Sequence, residues 1–145
     1  MTHDAQAIPK RSSKAKEITL WTLQVLLAAA FLMAGFAKLS GQPMMVDMFE
    51  KIGIGQWFRY VTGSIEVVSA ILLLVPRFTA VGAVLLVCTM IGAVITHLAV
   101  IGGSPVPAAV LGVLVAVILW GRYRRLLELL KPAGSRDALS KEPRR

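Results

Sequence analysis

The fold class is decided by residues 78–101, FTAVGAVLLVCTMIGAVITHLAVI, a run of 24 residues without an Asp, Glu, Lys or Arg. A transmembrane helix needs about 20 predominantly apolar residues, so this run is long enough to cross a bilayer. Three further apolar runs cover residues 18–37, 57–75 and 105–121, and the second of these is interrupted by Arg59, near its edge, and by Glu66. The sequence therefore predicts an all-α fold, an integral membrane bundle of four helices.

Basic residues are concentrated at the two ends of the chain. The net charge is +8, and twelve of the sixteen Lys and Arg residues lie in segments 1–16 and 122–145. Cytoplasmic segments of membrane proteins carry an excess of Lys and Arg, so both tails are predicted to be cytoplasmic, as an even number of spans requires. Lys38, Lys51 and Arg59, in the outer connection and near its rim, are exceptions. Because the charge follows the predicted topology, nucleic-acid binding is not expected.

The two tails are polar and contain proline, and residues 1–16 and 132–145 are predicted to be disordered. An alternative for the N-terminal region is a cleaved signal peptide that includes the first span. The apolar run is longer than a usual signal-peptide core, and its removal would leave three spans with basic ends on opposite sides of the membrane.

The connection between the first two spans, residues 40–56, predicts an amphipathic helix at the membrane interface. Its apolar side consists of Met44, Met45, Met48, Phe49 and Ile52, and its charged side of Asp47, Glu50 and Lys51. Packing on the membrane surface is the simpler interpretation. Docking of a partner is the alternative, since methionine suits adaptable apolar contacts. Copper(I) capture by the thioethers is a third interpretation, disfavoured because no Cys or His lies nearby in the sequence.

A carboxylate, Glu66, lies inside the second span. A charge at that depth is costly unless it is paired or protonated, and intramembrane ionisable residues are by default candidates for functional sites. In the predicted topology, Lys38 at the end of the first span and His97 near the end of the third share the outer half of the bundle with Glu66. Either cation can pair with the carboxylate, and histidine can carry a proton near neutral pH. Two interpretations follow, a polar lock that fixes helix register and a site for protons or a quinone headgroup.

The chain has one cysteine, Cys88, near the middle of the third predicted span. A lone thiol cannot cycle through an intramolecular disulfide, which excludes the dithiol chemistry of a Cys-x-x-Cys membrane oxidoreductase within one chain. Cys88 is therefore predicted to be a packing residue.

Several short motifs resemble those of the DoxX and DoxX-like membrane proteins. The first span ends in MAGFAKL at residues 33–39, the second carries GSIE at residues 63–66 before Pro76-Arg77, and the third ends in Thr96-His97. Their order and placement on four spans carry the resemblance, which covers about residues 18–121.

The resemblance implies a four-helix bundle of the bacterial inner membrane that acts beside a separate redox enzyme. DoxX is the small subunit of a thiosulfate:quinone oxidoreductase, other relatives belong to thiol and oxidative-stress complexes, and eukaryotic relatives include an assembly chaperone for ion-channel receptors. Lys38, Glu66 and His97 match the family's polar positions. The resemblance gives Glu66 the central role, with Lys38 as its charge partner and His97 as hydrogen-bond donor or proton carrier.

No metal cage, flavin fingerprint or nucleotide-binding loop is present in the sequence, so neither a metal site nor an intrinsic cofactor is expected. If electrons move, a partner enzyme or a bound quinone must hold them. The leading hypothesis is thus a membrane subunit of a quinone- or thiol-linked redox complex. The alternative is a non-enzymatic scaffold or assembly factor that uses the interfacial helix and the basic C-terminal tail. A small proton-coupled transporter, which would require a homo-oligomer, ranks third.

Overall fold

The computed structural model describes residues 11–130, and every regular element in that range is a helix. The helices are α1 (Arg11–Leu39), α2 (Pro43–Ile52), α3 (Gln56–Leu74), α4 (Thr79–Thr96) and α5 (Val106–Leu130). A π-helical segment, His97–Ile101, continues α4. All of these helices except α2 are long and apolar enough to cross a membrane. The predicted all-α membrane bundle with a short amphipathic helix between its first two spans is confirmed.

The first and last helices, α1 and α5, extend beyond the predicted spans. α1 begins at Arg11, so the prediction of disorder is wrong for residues 11–16, which contain no Gly or Pro and four good helix formers, one Arg, two Lys and one Ala. α5 continues to Leu130, through the first part of the predicted basic tail. The predictions for residues 1–10 and 131–145 lie outside the described residues.

The up-and-down chain path gives the bundle two ends, which carry different polar clusters. The start of α1, the turn between α3 and α4, and the end of α5 meet at one end, called the terminal end. The end of α1, the start of α3, the π-helical segment and the start of α5 meet at the opposite end, together with α2, and form the α2 end.

Glycines set how closely α3 approaches its two neighbours. A Cβ atom at Gly35 of α1 would lie 2.9 Å from the Gly63 carbonyl oxygen of α3, and one at Gly63 would lie 3.0 Å from the Lys38 Cβ. At the terminal end, a Cβ at Gly82 of α4 would lie 2.6 Å from the Ser69 carbonyl oxygen of α3. Small residues permit such close backbone packing between membrane helices. The α1–α3 crossing therefore positions Lys38 beside the part of α3 that carries Glu66.

The helices enclose an apolar core between the two ends. Phe31, Leu73, Leu86, Val115 and Ile118, from α1, α3, α4 and α5, are almost completely buried. Because lipid chains are as apolar as these side chains, shape complementarity and interhelical hydrogen bonds, more than the hydrophobic effect, stabilise the bundle in a membrane. The polar residues at the two ends of the bundle supply such interhelical hydrogen bonds.

Candidate functional site

At the α2 end, Lys38 and Glu66 form a buried ion pair between α1 and α3. Lys38 Nζ donates to both carboxylate oxygens, at 2.7 Å from Oε2 and 3.0 Å from Oε1. Glu66 is 2% exposed and the Lys38 side chain 16% exposed. Opposite charge and two hydrogen bonds offset part of the cost of burying each group. The structure thus shows the charge partner of Glu66 to be Lys38.

Arg59 supports this pair by binding the backbone of Lys38. Its Nη1 donates to the carbonyl oxygen of Lys38, its Nε donates to Gln56 Oε1 at 2.8 Å, and its guanidinium lies 4.3 Å from the centroid of the Tyr60 ring. The last carbonyls of a helix lack intrahelical partners, and Arg59 satisfies one of them at the end of α1. Arg59 lies on the first turn of α3, close to the predicted rim, and this contact draws its side chain inward to 4% exposure.

Gln56 and a pair of aromatic rings attach α2 to the bundle. Gln56 Nε2 donates to the carbonyl oxygen of Val46 at 3.0 Å, and buried Phe49 packs against Phe58 with ring centroids 5.9 Å apart. Of the predicted apolar side, Met44 is exposed, whereas the others face a cavity beneath the helix. α2 therefore covers the bundle with the residues that the sequence offered for docking a partner.

The cavity has a volume of about 530 Å³ and is lined by side chains from all five helices. Its ionisable residues besides the cysteine are Lys38, Glu66 and His97, and three threonines add hydroxyl groups. The rest of its lining is almost entirely apolar and includes Phe31 and Phe49. Ligand pockets are of this size and composition, predominantly apolar with a few placed polar groups. The arrangement can hold an amphipathic molecule whose polar part lies near the ion pair.

His97 lies on the wall of this cavity at the first residue of the π-helical segment. Its Nδ1 is 2.8 Å from the carbonyl oxygen of Ala93. A carbonyl oxygen can only accept, so Nδ1 is the donor in this contact, and Nε2 is the ring nitrogen left for other partners. Single π turns inside α-helices occur frequently at functional sites. The structure therefore brings the three predicted residues to one cavity, with Lys38 and Glu66 in direct contact and His97 bonded to its own helix.

Cys88 also lines the cavity and is exposed, so the prediction of a packing residue is wrong. It lies on α4 beyond the close contact at Gly82, where the facing sides of α3 and α4 line the cavity. The periodic apolar pattern of the span gave no sign that this part of the helix borders open space.

A second polar cluster, at the terminal end, was missed by the sequence prediction. Buried Arg122 of α5 donates from Nε to Gln24 Oε1 at 3.0 Å and from Nη1 to Glu17 Oε1 at 2.6 Å. Gln24 in turn donates to the carbonyl oxygen of Leu73 at 3.1 Å, which is also 3.2 Å from the Thr79 hydroxyl. Within residues 11–130, Arg122 Nη2 is buried without a hydrogen-bond partner.

One sequence signal could have revealed this cluster. Gln24 is an amide inside the otherwise apolar run 18–37, and Arg122 directly follows the last predicted span. A polar side chain at membrane depth needs a partner, because an unsatisfied group there is costly. The positive-inside pattern instead assigned Arg122 to the tail, where it served only as a topology signal.

The chain belongs to the DoxX-like family, whose pattern it matches over residues 22–121. It is 31% identical over 84 residues to a Bacillus subtilis (strain 168) protein named "Putative oxidoreductase CatD". That alignment covers 58% of this chain and 63% of the relative, so the chain spans less than two thirds of the relative's length. No solved structure gives a significant match. The family and the four apolar helices together define a multi-pass membrane protein in contact with the lipid bilayer.

Proposed function

We propose that this DoxX-like protein is the membrane subunit of a redox complex and binds a quinone headgroup in the cavity at the α2 end. The observation that carries the proposal is the Lys38–Glu66 ion pair, which lies with His97 on the wall of an otherwise apolar cavity of about 530 Å³. The complex acts in the bacterial inner membrane with both termini in the cytoplasm, in accord with the basic tails.

The residues around the cavity suit such a ligand. Phe31, Phe49 and Phe58 give an aromatic and apolar lining for a planar ring. Glu66 and Lys38 place an acceptor and a donor of hydrogen bonds on the same cavity, within one ion pair. The site therefore fits a neutral ring with polar oxygens better than it fits a permanently charged solute.

A bound quinone would accept two electrons and two protons. The proposal assigns the electrons to a partner enzyme, since the sequence contains no flavin fingerprint or metal cage. The protons come from water, and Glu66 and His97 relay them: the carboxylate and His97 Nε2, which the hydrogen bond from Nδ1 to Ala93 leaves available, each take up a proton and pass it to a quinone oxygen. Lys38 holds the carboxylate in place and stabilises negative charge that develops on a ligand oxygen. The name of the Bacillus subtilis relative, an oxidoreductase, agrees with this assignment.

The Glu66→Gln variant tests the proton role. In native membranes that contain the electron donor, quinone reduction per folded protein should fall about 100-fold, within the usual range for loss of a general acid or base. Glu17→Gln is the matched control, since Glu17 is also paired with a cation but lies at the terminal end. Normal quinone reduction by Glu66→Gln, at equal protein level, would discard the proton role.

The partner is tested by purifying the tagged protein in mild detergent and identifying by mass spectrometry the proteins recovered at near-stoichiometric yield. The proposal expects a flavin- or thiol-dependent oxidoreductase, which would also identify the electron donor. Recovery of the chain alone, or with membrane proteins that have no redox centre, would instead support the scaffold or transporter hypothesis.

A further inference from the structure

α3 and α4 pack closely at the terminal end and border the cavity further along. A Cβ atom at Gly82 would lie 2.6 Å from the Ser69 carbonyl oxygen, so the two backbones nearly touch there. A Cβ atom at Gly92, ten residues later on α4, would meet nothing within 4 Å. Thr62 and Ile65 of α3 line the cavity together with Gly92. The groove between the two helices therefore widens towards the α2 end.

This groove connects the cavity with the lipid-facing surface. Three residues of the lining are exposed on its two sides, Ile65 on α3 and Cys88 and Gly92 on α4. Cys88 and Gly92 are the tenth and fourteenth residues of the 23-residue span Thr79–Ile101, close to its middle. The opening thus lies at the depth of the hydrocarbon core. A further exposed lining residue, Pro107, lies on the first turn of α5 at the α2 end, so the cavity also reaches the surface near the interface.

The depth of the opening is also that of Glu66. Glu66 lies ten residues from the start of α3 at Gln56, and Gly92 lies nine residues before Ile101. At a rise of 1.5 Å per residue, both are roughly 14 Å from the α2 end of their helices. A molecule that enters through the groove reaches the ion pair without passing through the interface.

We propose that the α3–α4 groove is a lateral portal, through which an amphipathic ligand with an aliphatic tail enters from the bilayer and in which the tail remains. The tail lies against Ile65, Cys88 and Gly92, while the polar ring reaches Lys38 and Glu66. This inference rests on the proposed function, since the ligand is the quinone of the same cavity. It adds the class of quinone, one dissolved in the membrane, and the residues that select the tail.

Other occupants fit the groove less well. A phospholipid would have to bring its charged headgroup to the level of the hydrocarbon core, where charge is costly. A transmembrane helix of a second copy is about 10 Å wide and could cover the groove, but it would leave the cavity behind the groove unfilled. A thin aliphatic chain attached to a neutral ring can fill both.

Cys88 provides a direct probe, because it is the only cysteine in the chain and lies at the portal. The protein in proteoliposomes is treated with a membrane-permeant N-alkylmaleimide, in the presence of a long-tailed quinone or of its tail-less ring analogue. At about ten times the dissociation constant, the long-tailed quinone should slow alkylation about tenfold, because about one site in eleven stays free. The ring analogue should leave the rate nearly unchanged. Equal alkylation rates with and without the long-tailed quinone would overturn the portal.

A Gly92→Phe variant tests the selection of the tail. The phenyl ring would enter the open space of the groove, so affinity for the long-tailed quinone should fall at least tenfold, while the ring analogue, which can enter near Pro107, keeps its affinity. Ile91→Phe is the matched control, since neighbouring Ile91 is 56% exposed and is not a lining residue. Equal loss of affinity for both quinones, or for neither, contradicts the proposal.

The two proposals can fail separately. Protection of Cys88 by the long-tailed quinone, together with normal turnover by Glu66→Gln, would retain the portal and discard the proton role. Absence of protection, together with inactive Glu66→Gln, would retain the redox site and discard the portal. If instead Gly92→Phe reduces the oligomeric mass in detergent and the tailed quinone does not protect Cys88, a second copy covers the groove and the portal is overturned.

Discussion

Each end of the bundle holds a cation that ties another helix to α1, buried Arg122 at one end and partly buried Lys38 at the other, but the surroundings of the two cations differ. Arg122 at the terminal end binds Gln24 and Glu17 of α1, and Gln24 continues to a backbone carbonyl of α3. Lys38 at the α2 end binds a carboxylate whose surroundings include a large cavity. The first cluster connects α5, α1 and the α3–α4 turn, whereas the second borders space for a ligand.

The difference separates a structural role from a functional one. A hydrogen-bonded cluster whose partners belong to several helices fixes register, which is the best-attested use of buried polar groups. An ion pair beside an apolar cavity can form the same lock, but it also exposes a proton-exchanging group to whatever fills the cavity. Variants of the two clusters should therefore affect different measurements.

Removing the whole ion pair should abolish function while the fold survives. In the double variant Lys38→Met/Glu66→Leu, quinone-linked turnover should fall about 100-fold or more, because no carboxylate is left to move protons. Replacing both members of a buried pair by apolar residues is often neutral or stabilising, so the melting temperature in detergent should not fall. Turnover near the wild-type value would show that the pair is only a lock and would remove the contrast between the two ends.

Arg122→Leu should have the opposite profile. Leu leaves Gln24 Oε1 buried without its donor, which should lower the free energy of unfolding by about 2 kcal/mol. Thermal unfolding of the purified protein measures this loss, and quinone turnover per folded molecule should be unchanged. The double variant Gln24→Leu/Arg122→Leu should recover most of the stability, since replacing both partners by apolar groups can be nearly neutral. A loss of turnover without a loss of stability would assign a functional role to the terminal end.

Thr79→Val removes one hydroxyl from the terminal cluster with little change of shape. The hydroxyl lies 3.2 Å from the Leu73 carbonyl oxygen and 3.0 Å from that of Val75, and it donates to one of them. Because Gln24 still donates to Leu73, the expected loss of unfolding free energy is about 1 kcal/mol. A loss several times larger, in the same thermal assay, would mean that the cluster acts as one cooperative network.

Glu17→Gln should have the smallest effect. The side chain of Glu17 is 47% exposed, so water screens its pair with Arg122. Pairs between exposed groups contribute about 0.2–1 kcal/mol, and because the amide oxygen that this variant introduces can still accept from buried Arg122, a loss within that range is expected. The stability difference from wild type should shrink further as salt is raised from 0.05 to about 0.5 M. A large, salt-independent loss would place this pair in the same category as the pair at the α2 end.

The sequence pattern was most informative where one property repeats along the chain. Four apolar runs, the amphipathic segment around Phe49 and the DoxX-like motifs predicted the helices and the family. It was least informative for single polar side chains. Arg59 and Arg122 both belong to segments that look like interface or tail, yet each side chain turns inward to a carbonyl or amide that only the folded bundle brings near.

Four apolar runs and one carboxylate within them are enough to define a four-span helical membrane protein with a carboxylate at membrane depth, because apolar length and the cost of a buried charge are properties of a single segment. The contact of Lys38 with Glu66, the cavity beneath α2 and the open α3–α4 groove at Gly92 arise from the packing of the helices. These features depend on where helices cross and how closely glycines allow them to approach. Such distances join residues far apart in the chain, so no pattern within one helix contains them.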